Sequence, residues 1–194
     1  MTSLDPRAPL VLDTRELGRR PGSSRRVSLS VPAPADLGIE LLGVPEGEPV
    51  DLDLLLEAVM EGVLVTGTAT AELRGECARC LEPVEDHTSV DFTELYLYED
   101  RAEAGEVEDG ELDVSRLEGD LVDLEPVLRD AVVLALPFQP LCTPDCPGLC
   151  PECGARLAGD PQHTHDAPVD PRWAALAELA ELREQDPMKT DEGA

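Results

Sequence analysis

Aromatic residues are scarce in this sequence, and basic residues are few. Only 3% of the 194 residues are Phe, Trp or Tyr, so a core must be built mostly of Leu, Val and Ala. The 15 Lys and Arg residues are outnumbered by 42 Asp and Glu residues, which gives a formal net charge of −27. Nonspecific nucleic-acid binding needs basic side chains that displace counterions from phosphates. The chain as a whole is therefore repelled by RNA, DNA and anionic membranes, and its charge favours basic partners.

Segments that target or anchor a protein at a membrane are not found in the sequence. Residues 1–10 lack the basic and apolar regions of a signal peptide. No apolar run approaches the roughly 18 residues of a membrane-spanning helix. We therefore expect a cytoplasmic protein with no membrane contact. Thiols stay reduced in the cytoplasm, which favours metal binding over disulfides for the six cysteines.

Motifs of the common enzyme classes are also missing. The sequence has no GxSxG, no phosphate-binding P-loop and no GxGxxG. A thiol oxidoreductase would need an exposed CxxC of low pKa, typically at a helix N-terminus. Cys77 and Cys80 instead follow a predicted strand. We expect no enzymatic activity, and we assign no catalytic residue.

Cysteine is concentrated in one short stretch. Four of the six cysteines lie within twelve residues, in Cys142-Thr-Pro-Asp-Cys146-Pro-Gly-Leu-Cys150-Pro-Glu-Cys153. Thiolates this close repel one another, and a divalent cation turns that repulsion into bonding. Zinc accepts tetrahedral sulfur and nitrogen ligands without redox chemistry. With the pairs Cys77/Cys80 and His163/His165, the chain offers eight ligands, which predicts zinc as the cofactor at two tetrahedral sites.

Chain closure favours one grouping of these ligands. Site one comprises Cys77, Cys80, Cys142 and Cys146. Site two comprises Cys150, Cys153, His163 and His165. Site one is favoured because the chain that leaves the preceding helix toward Cys142 is able to return to the CxxC turn. Site two is favoured because the two histidines come soon after the zinc-knuckle sequence of Cys150 and Cys153. Two alternatives stay open: all four loop cysteines on one zinc, or Cys77/Cys80 paired with Cys150/Cys153 as in a zinc ribbon.

The residues up to 98 predict an antiparallel β-structure. Alternating apolar and polar residues indicate strands, and the CxxC pair falls at a turn between the last two of them. The predicted strands are 8–14, 27–31, 39–44, 50–56, 63–73 with a possible bulge at Gly67, and 85–98.

Helices and loops are predicted in the remaining residues. The spacing of apolar residues predicts a helix over 120–136 with Pro126 in its first turn. A second helix is predicted to begin at Asp170-Pro171. The acidic stretch 99–111 is predicted to be a mobile loop, and 112–117 a short strand. The fold class is therefore α+β: an antiparallel β-rich body with one or two packed helices and a Cys-rich zinc-binding loop. We divide the chain into the β-rich body with its following helix (1–136), the zinc-binding loop (137–169), and the C-terminal helix and tail (170–194).

Basic residues cluster only near the N-terminus. Residues 15–26 hold five of the fifteen, around Pro21-Gly22-Ser23-Ser24, which predicts a loop. The candidates for RNA contact are Arg19, Arg20, Arg25 and Arg26. The alternative is that these arginines pair with the acidic body.

Three segments together resemble a known family. They are Glu61-Gly-Val-Leu-Val-Thr-Gly-Thr68, Gly75-Glu-Cys-Ala-Arg-Cys-Leu81, and Leu141 to Gly154 with its CxGLCPxCG pattern. They resemble the YceD family of large ribosomal RNA subunit accumulation proteins, in its high-GC Gram-positive form. The resemblance implies a cytosolic bacterial protein needed for normal levels of large-subunit ribosomal RNA. Many Gram-positive members end the second site with C-x-C, where this chain has His163-Thr-His165; nitrogen is able to replace sulfur as a zinc ligand.

The expected function follows from this resemblance and from the charge. We expect a non-enzymatic factor that supports accumulation of 23S ribosomal RNA and assembly of the large ribosomal subunit. Contact with a basic large-subunit ribosomal protein or a precursor particle is the expected mechanism, with ribosomal RNA contact as a possible addition. The alternatives are a zinc-stabilised regulator of rRNA transcription or decay, and a direct RNA-binding module. The sequence predicts no oligomeric state.

Overall fold

A computed structural model describes residues 4–98 and 115–165. The chain divides into two compact units, residues 1–148 and 149–194, so the division falls inside the predicted zinc-binding loop. The described strands are β1 (Val11–Asp13), β2 (Ser24–Pro32), β3 (Leu37–Ile39), β4 (Leu42–Val44), β5 (Pro49–Ala58), β6 (Gly62–Glu76), β7 (Pro83–Leu97) and β8 (Leu121–Asp123), and the described helix is α1 (Glu125–Ala135). Within the described ranges, no helix has the length and apolar character needed to cross a membrane. The predicted helix from Asp170 and the predicted loop 99–111 lie outside the described residues.

A six-stranded sheet forms the body of the first unit. β6 is its central strand: β7 pairs along one edge, and β5 and then β4 pair along the other. β2 flanks β5 and β3 flanks β4, and every pairing is antiparallel. Period-two alternation places the apolar residues of β5, β6 and β7 on one buried face. The predicted antiparallel β-rich body is confirmed.

Helix α1 packs against β7 and β3 and places Leu128 and Val132 in the core. Its start differs from the predicted 120–136. Residues 121–123 form β8, which pairs with β1, because a short apolar run takes its structure from its partner strand. Pro126 lies in the first turn as expected. Pro137 follows the helix, and Leu136 adopts the extended conformation that a residue before proline favours.

Two glycines account for further differences from the predicted strands. The single strand predicted over 39–44 is the β3–β4 hairpin, in which Gly38 and Gly43 lie opposite each other. A Cβ atom at Gly38 would lie 2.4 Å from Gly43 Cα, so only glycine allows this close approach. The bulge predicted at Gly67 is wrong, because its pairing with Leu54 and Phe92 is regular. Gly67 instead leaves room for those two side chains, which a Cβ atom would approach to 2.4 Å and 2.8 Å.

Candidate metal centres

The first cysteine pair lies in the turn between β6 and β7. The Leu81 N–H donates to the Cys77 carbonyl (2.9 Å), and the Cys77 N–H donates to the Glu82 carbonyl (2.8 Å). These bonds close a tight turn that brings both thiols to one side. The turn requires a left-handed residue at Leu81, with φ of 60°, which is uncommon for a residue other than glycine. Local backbone geometry therefore positions Cys77 and Cys80.

The second pair reaches this turn because Pro137 stops helix α1. The chain that follows accepts a hydrogen bond at the Pro140 carbonyl from the Ala78 N–H (2.8 Å). Further along, Arg79 Nη1 donates to the Cys146 carbonyl (2.9 Å). Protein hydrogen bonds therefore hold Cys142 and Cys146 beside the turn, in addition to any bond that a metal makes.

The four sulfurs of site one form a compact group whose ligand atoms all lie within 4.8 Å of one another. Cys77 Sγ lies 3.8 Å from Cys146 Sγ, and Cys80 Sγ lies 3.6 Å from Cys142 Sγ. A zinc–sulfur bond of about 2.3 Å gives a tetrahedron with sulfur–sulfur edges of about 3.8 Å. These two edges therefore agree with the size of a zinc site held by four cysteines.

Burial and backbone dipoles set opposing preferences for ionisation in site one. Burial raises the pKa of Cys80 to about 12 and also raises the pKa of Cys146. Burial opposes ionisation of Cys77 too, but backbone N–H groups, including those of Cys142 and Arg79, donate to its sulfur and lower its pKa to about 6. Four thiolates need a cation to coexist here, and a divalent ion would supply that charge.

Site two belongs to the second unit and is built on a similar turn. The Gly154 N–H donates to the Cys150 carbonyl (2.8 Å), and the Cys150 N–H donates to the Ala155 carbonyl (2.8 Å). Here the left-handed position is Gly154, with φ of 72°, which glycine adopts without strain. Backbone N–H groups of Cys153 and Glu152 lower the pKa of Cys150 to about 6, and they outweigh the opposing effect of burial.

Two histidines complete the ligand set of site two. His163 Nε2 lies 3.3 Å from Cys153 Sγ and 2.8 Å from His165 Nε2. A tetrahedral zinc site would have a sulfur–nitrogen edge of about 3.5 Å and a nitrogen–nitrogen edge of about 3.3 Å. The donors converge on one point, at distances somewhat shorter than those of a filled site.

The outward nitrogen of each histidine points toward a carboxylate. His165 Nδ1 lies 3.5 Å from a Glu152 oxygen, and His163 Nδ1 lies 3.9 Å from an Asp160 oxygen. Carboxylates in this position orient a metal-binding imidazole and increase its basicity. The surroundings of both rings therefore suit histidines that bind a metal through Nε2.

The eight predicted ligands fall into the two groups that chain closure favours. The four loop cysteines do not form one group, because Cys142 and Cys146 lie with Cys77 and Cys80. Nor does the zinc-ribbon grouping occur, because the other loop pair lies with the two histidines. Both groups have a donor set that could hold a metal ion; the identity of that ion stays a prediction.

Two of the four arginines proposed for RNA contact have partners within the protein. Arg19 lies 4.8 Å from the centre of the Tyr98 ring and forms an ion pair with Asp120 (3.4 Å). Arg25 lies 2.8 Å from Glu16. Arg20 and Arg26 are exposed, and neither forms an ion pair with any residue in 4–98 or 115–165. Arg25 and Arg26 also lie in β2 and not in a loop as predicted, because the strand begins at Ser24.

One surface was not singled out by the sequence interpretation. The solvent-facing side of β2, β5, β6 and β7 forms a field of hydroxyl and carboxyl groups, here called the outer face. It consists of Ser28, Ser30, Asp51, Asp53, Thr66, Thr68, Thr70, Ser89, Asp91 and Thr93. In the sequence, Asp and Thr alternate with apolar residues along these strands. This alternation predicts that each strand has a polar face, but it does not predict which strands lie side by side.

Hydrogen bonds fix two carboxylates of the outer face. Ser28, Asp53, Thr68 and Asp91 lie side by side in one row across four strands. The Ser28 hydroxyl donates to Asp53 Oδ1 (2.6 Å), and the Thr68 hydroxyl donates to Asp91 Oδ1 (2.6 Å). The carboxylates are therefore held in place and still exposed to solvent.

Comparison with known proteins places the chain in a family. Residues 65–180, which include all eight ligands, match the family described as large ribosomal RNA subunit accumulation protein YceD. The chain belongs to the YceD family. Uncharacterized protein Rv2926c of Mycobacterium tuberculosis is 49% identical over 172 residues, which cover 89% of this chain and 82% of the relative.

More distant YceD relatives are also uncharacterised. Uncharacterized protein ML1660 of Mycobacterium leprae is 43% identical over 89% of this chain and 78% of its own length. Uncharacterized protein YlbN of Bacillus subtilis is 28% identical over 58% of this chain and 63% of its own length. The mycobacterial relatives agree with the high-GC Gram-positive form expected from the sequence. No solved structure matches the chain.

Proposed function

We propose that this YceD protein is a non-enzymatic cytoplasmic factor that supports accumulation of 23S ribosomal RNA and assembly of the large ribosomal subunit. The observation that carries the proposal is the family match over residues 65–180. Family membership supports a role in accumulation of large-subunit RNA. The protein–protein mechanism is our inference from charge and surface chemistry.

Zinc is the proposed cofactor of both sites. Four sulfurs, or two sulfurs and two nitrogens, are the ligand sets of structural zinc centres, whereas catalytic zinc keeps an open position. When bound, zinc would supply a rigid cross-link and no redox chemistry. Cys77 and Cys146 are 69 positions apart in sequence, so a metal at site one would tie the β6–β7 turn to the chain after α1.

The outer face supports a basic protein as the partner. Asp51, Asp53 and Asp91 are exposed on it, whereas the basic residues of these strands that point outward are Arg26 and Arg74. Arg74 is already paired with Glu48 at 3.3 Å. Exposed acidic groups that outnumber basic ones steer a basic partner and suppress contact with nucleic acid.

The spacing of these carboxylates suits an extended basic segment. Asp51 and Asp53 lie two residues apart on one strand, which corresponds to about 7 Å. Asp53 and Asp91 lie two strands apart, which corresponds to about 10 Å. Alternate side chains of an extended peptide are also about 7 Å apart. A segment with Lys or Arg at every second position would therefore match the carboxylates along β5.

The proposed mechanism is tested by capture of partners from cell extract on the tagged, full-length protein. We expect large-subunit ribosomal proteins or precursor particles to be captured, and the captured amount to fall as salt rises. The variant D51N/D53N/D91N should capture less, and its matched control E40Q/E46Q/E61Q removes three exposed charges elsewhere in the same unit. If no large-subunit protein is captured, or if capture is insensitive to salt and to the outer-face variant, the proposed mechanism is wrong.

A further inference from the structure

The two metal sites differ in how far solvent reaches their ligands. In site one, Cys77, Cys80 and Cys146 are 0%, 7% and 1% exposed, and Cys142 is the one exposed ligand. In site two, Cys150 is the one buried ligand, at 7% exposed; Cys153 is exposed, and the side chains of His163 and His165 are 20% and 33% exposed. A competing chelator must reach the metal or displace a ligand. It therefore has easier access to site two.

The sites also differ in what holds their ligands together without a metal. The cysteines of site one sit on the β6–β7 turn and on a segment bonded to that turn through Pro140 and Arg79. The β-strands that carry the turn bury a large apolar core. Site one is therefore positioned before a metal arrives, and a metal that leaves is easily recaptured.

The described residues of the second unit, 149–165, give site two little support of this kind. In residues 149–165, strand-like pairing is limited to one isolated bridge between Leu149 and Arg156. The described backbone bonds there are the two bonds of the Cys150 turn and short turn bonds at Gly159 and His163. A segment with so few bonds and little buried apolar area does not offset the entropy cost of ordering its chain. Metal bonds must supply that stabilisation, as they do in small zinc domains.

We propose that site two is an exchange site: its metal equilibrates with cellular chelators while site one keeps its own. The ligand class is a divalent cation that accepts two thiolates and two imidazoles, which zinc does. The protein would then occur with one or two metals, and residues 149–165 would be ordered only in the form with two. This inference does not depend on the ribosomal role proposed above.

Chelator competition on the full-length, zinc-loaded protein tests the proposal. With 4-(2-pyridylazo)resorcinol in excess, we expect one zinc equivalent to leave at least tenfold faster than the other. The variants Cys153→Ser and Cys80→Ser assign the two phases. Cys153→Ser should lack the fast phase and keep the slow one. His165→Ala is a second site-two variant and should behave in the same way.

Trypsin provides a readout that is independent of zinc release. Arg156 lies inside the site-two segment, whereas Arg74 and Arg79 lie on β6 and on the β6–β7 turn. After the fast phase, cleavage at Arg156 should accelerate at least tenfold, while Arg74 and Arg79 stay protected. Release of both metals at one rate, or retention of only a fast phase in Cys153→Ser, would overturn the proposal. Unchanged cleavage at Arg156 after the fast phase would do the same.

Discussion

Replacement of Cys77 by serine removes one ligand of site one and should remove its metal. A metal at this site closes a loop between positions 62 to 69 residues apart. If the metal acts as a covalent cross-link does, closure of a loop of this length contributes about 4 kcal/mol to the free energy of unfolding. For a unit of this size, about 2–4 °C of melting temperature corresponds to each kcal/mol. We therefore expect the melting temperature of the first unit to fall by about 8–16 °C.

Two measurements on the purified Cys77→Ser protein check this expectation. Elemental analysis should show one zinc equivalent fewer than in the wild type, and circular dichroism should show the lower melting temperature of the β-sheet. Cys153→Ser is the matched control: it should also lose one equivalent but leave melting of the sheet nearly unchanged, because its site belongs to the other unit. Unchanged zinc content in Cys77→Ser would refute the ligand grouping.

Three further predictions follow from particular contacts. Gly67→Ala should lower the free energy of unfolding by about 1–3 kcal/mol in urea titrations, because its Cβ atom would overlap Leu54 and Phe92. Gly47→Ala is the control: its Cβ atom meets no neighbouring atom, but its φ is positive, so any loss of stability there comes from backbone strain and not from overlap. Zinc binding to the metal-free Cys153→Ser protein, in weakly buffered solution at pH 7, should release at least two protons per zinc. The raised pKa values of Cys80 and Cys146 keep these thiols protonated until the metal binds. Release of fewer than two protons would contradict this prediction. The variant D51N/D53N/D91N should bind the captured partner about tenfold more weakly at low salt, because each lost exposed charge costs about 0.5 kcal/mol. If its affinity equals that of E40Q/E46Q/E61Q, the outer face is not the binding surface.

The grouping of these cysteine and histidine side chains in space was predictable because most of its determinants are local in the sequence. A CxxC between two strands marks a turn that points both thiols to one side, and Pro137 marks the place where the helix stops. Only the path from Pro137 back to the turn is tertiary, and the hydrogen bond between Pro140 and Ala78 now defines it. The carboxylates beside the histidines were not predictable, because Asp and Glu are frequent throughout this acidic chain.

Several features of the fold depend on contacts that periodicity does not reveal. Residues 121–123 extend the pattern of the helix, yet they form a strand because β1 pairs with them. Gly67 resembles a bulge in a single strand, and its role becomes visible only when Phe92 and Leu54 are placed opposite it. Likewise, Arg19 stands in a basic stretch of the sequence, but the structure pairs it with Tyr98 and Asp120.

The most direct test of the ribosomal role is depletion of the protein in its own cell, followed by a sucrose-gradient profile and the ratio of 23S to 16S ribosomal RNA. We expect a selective loss of large subunits, a lower ratio, and precursor particles that sediment more slowly than mature large subunits. If the rate of 23S synthesis is unchanged and 23S in mature subunits decays normally, the loss arises in assembly and not in the control of transcription or decay. A normal gradient profile with an unchanged ratio would show that the protein has no role in assembly of the large subunit.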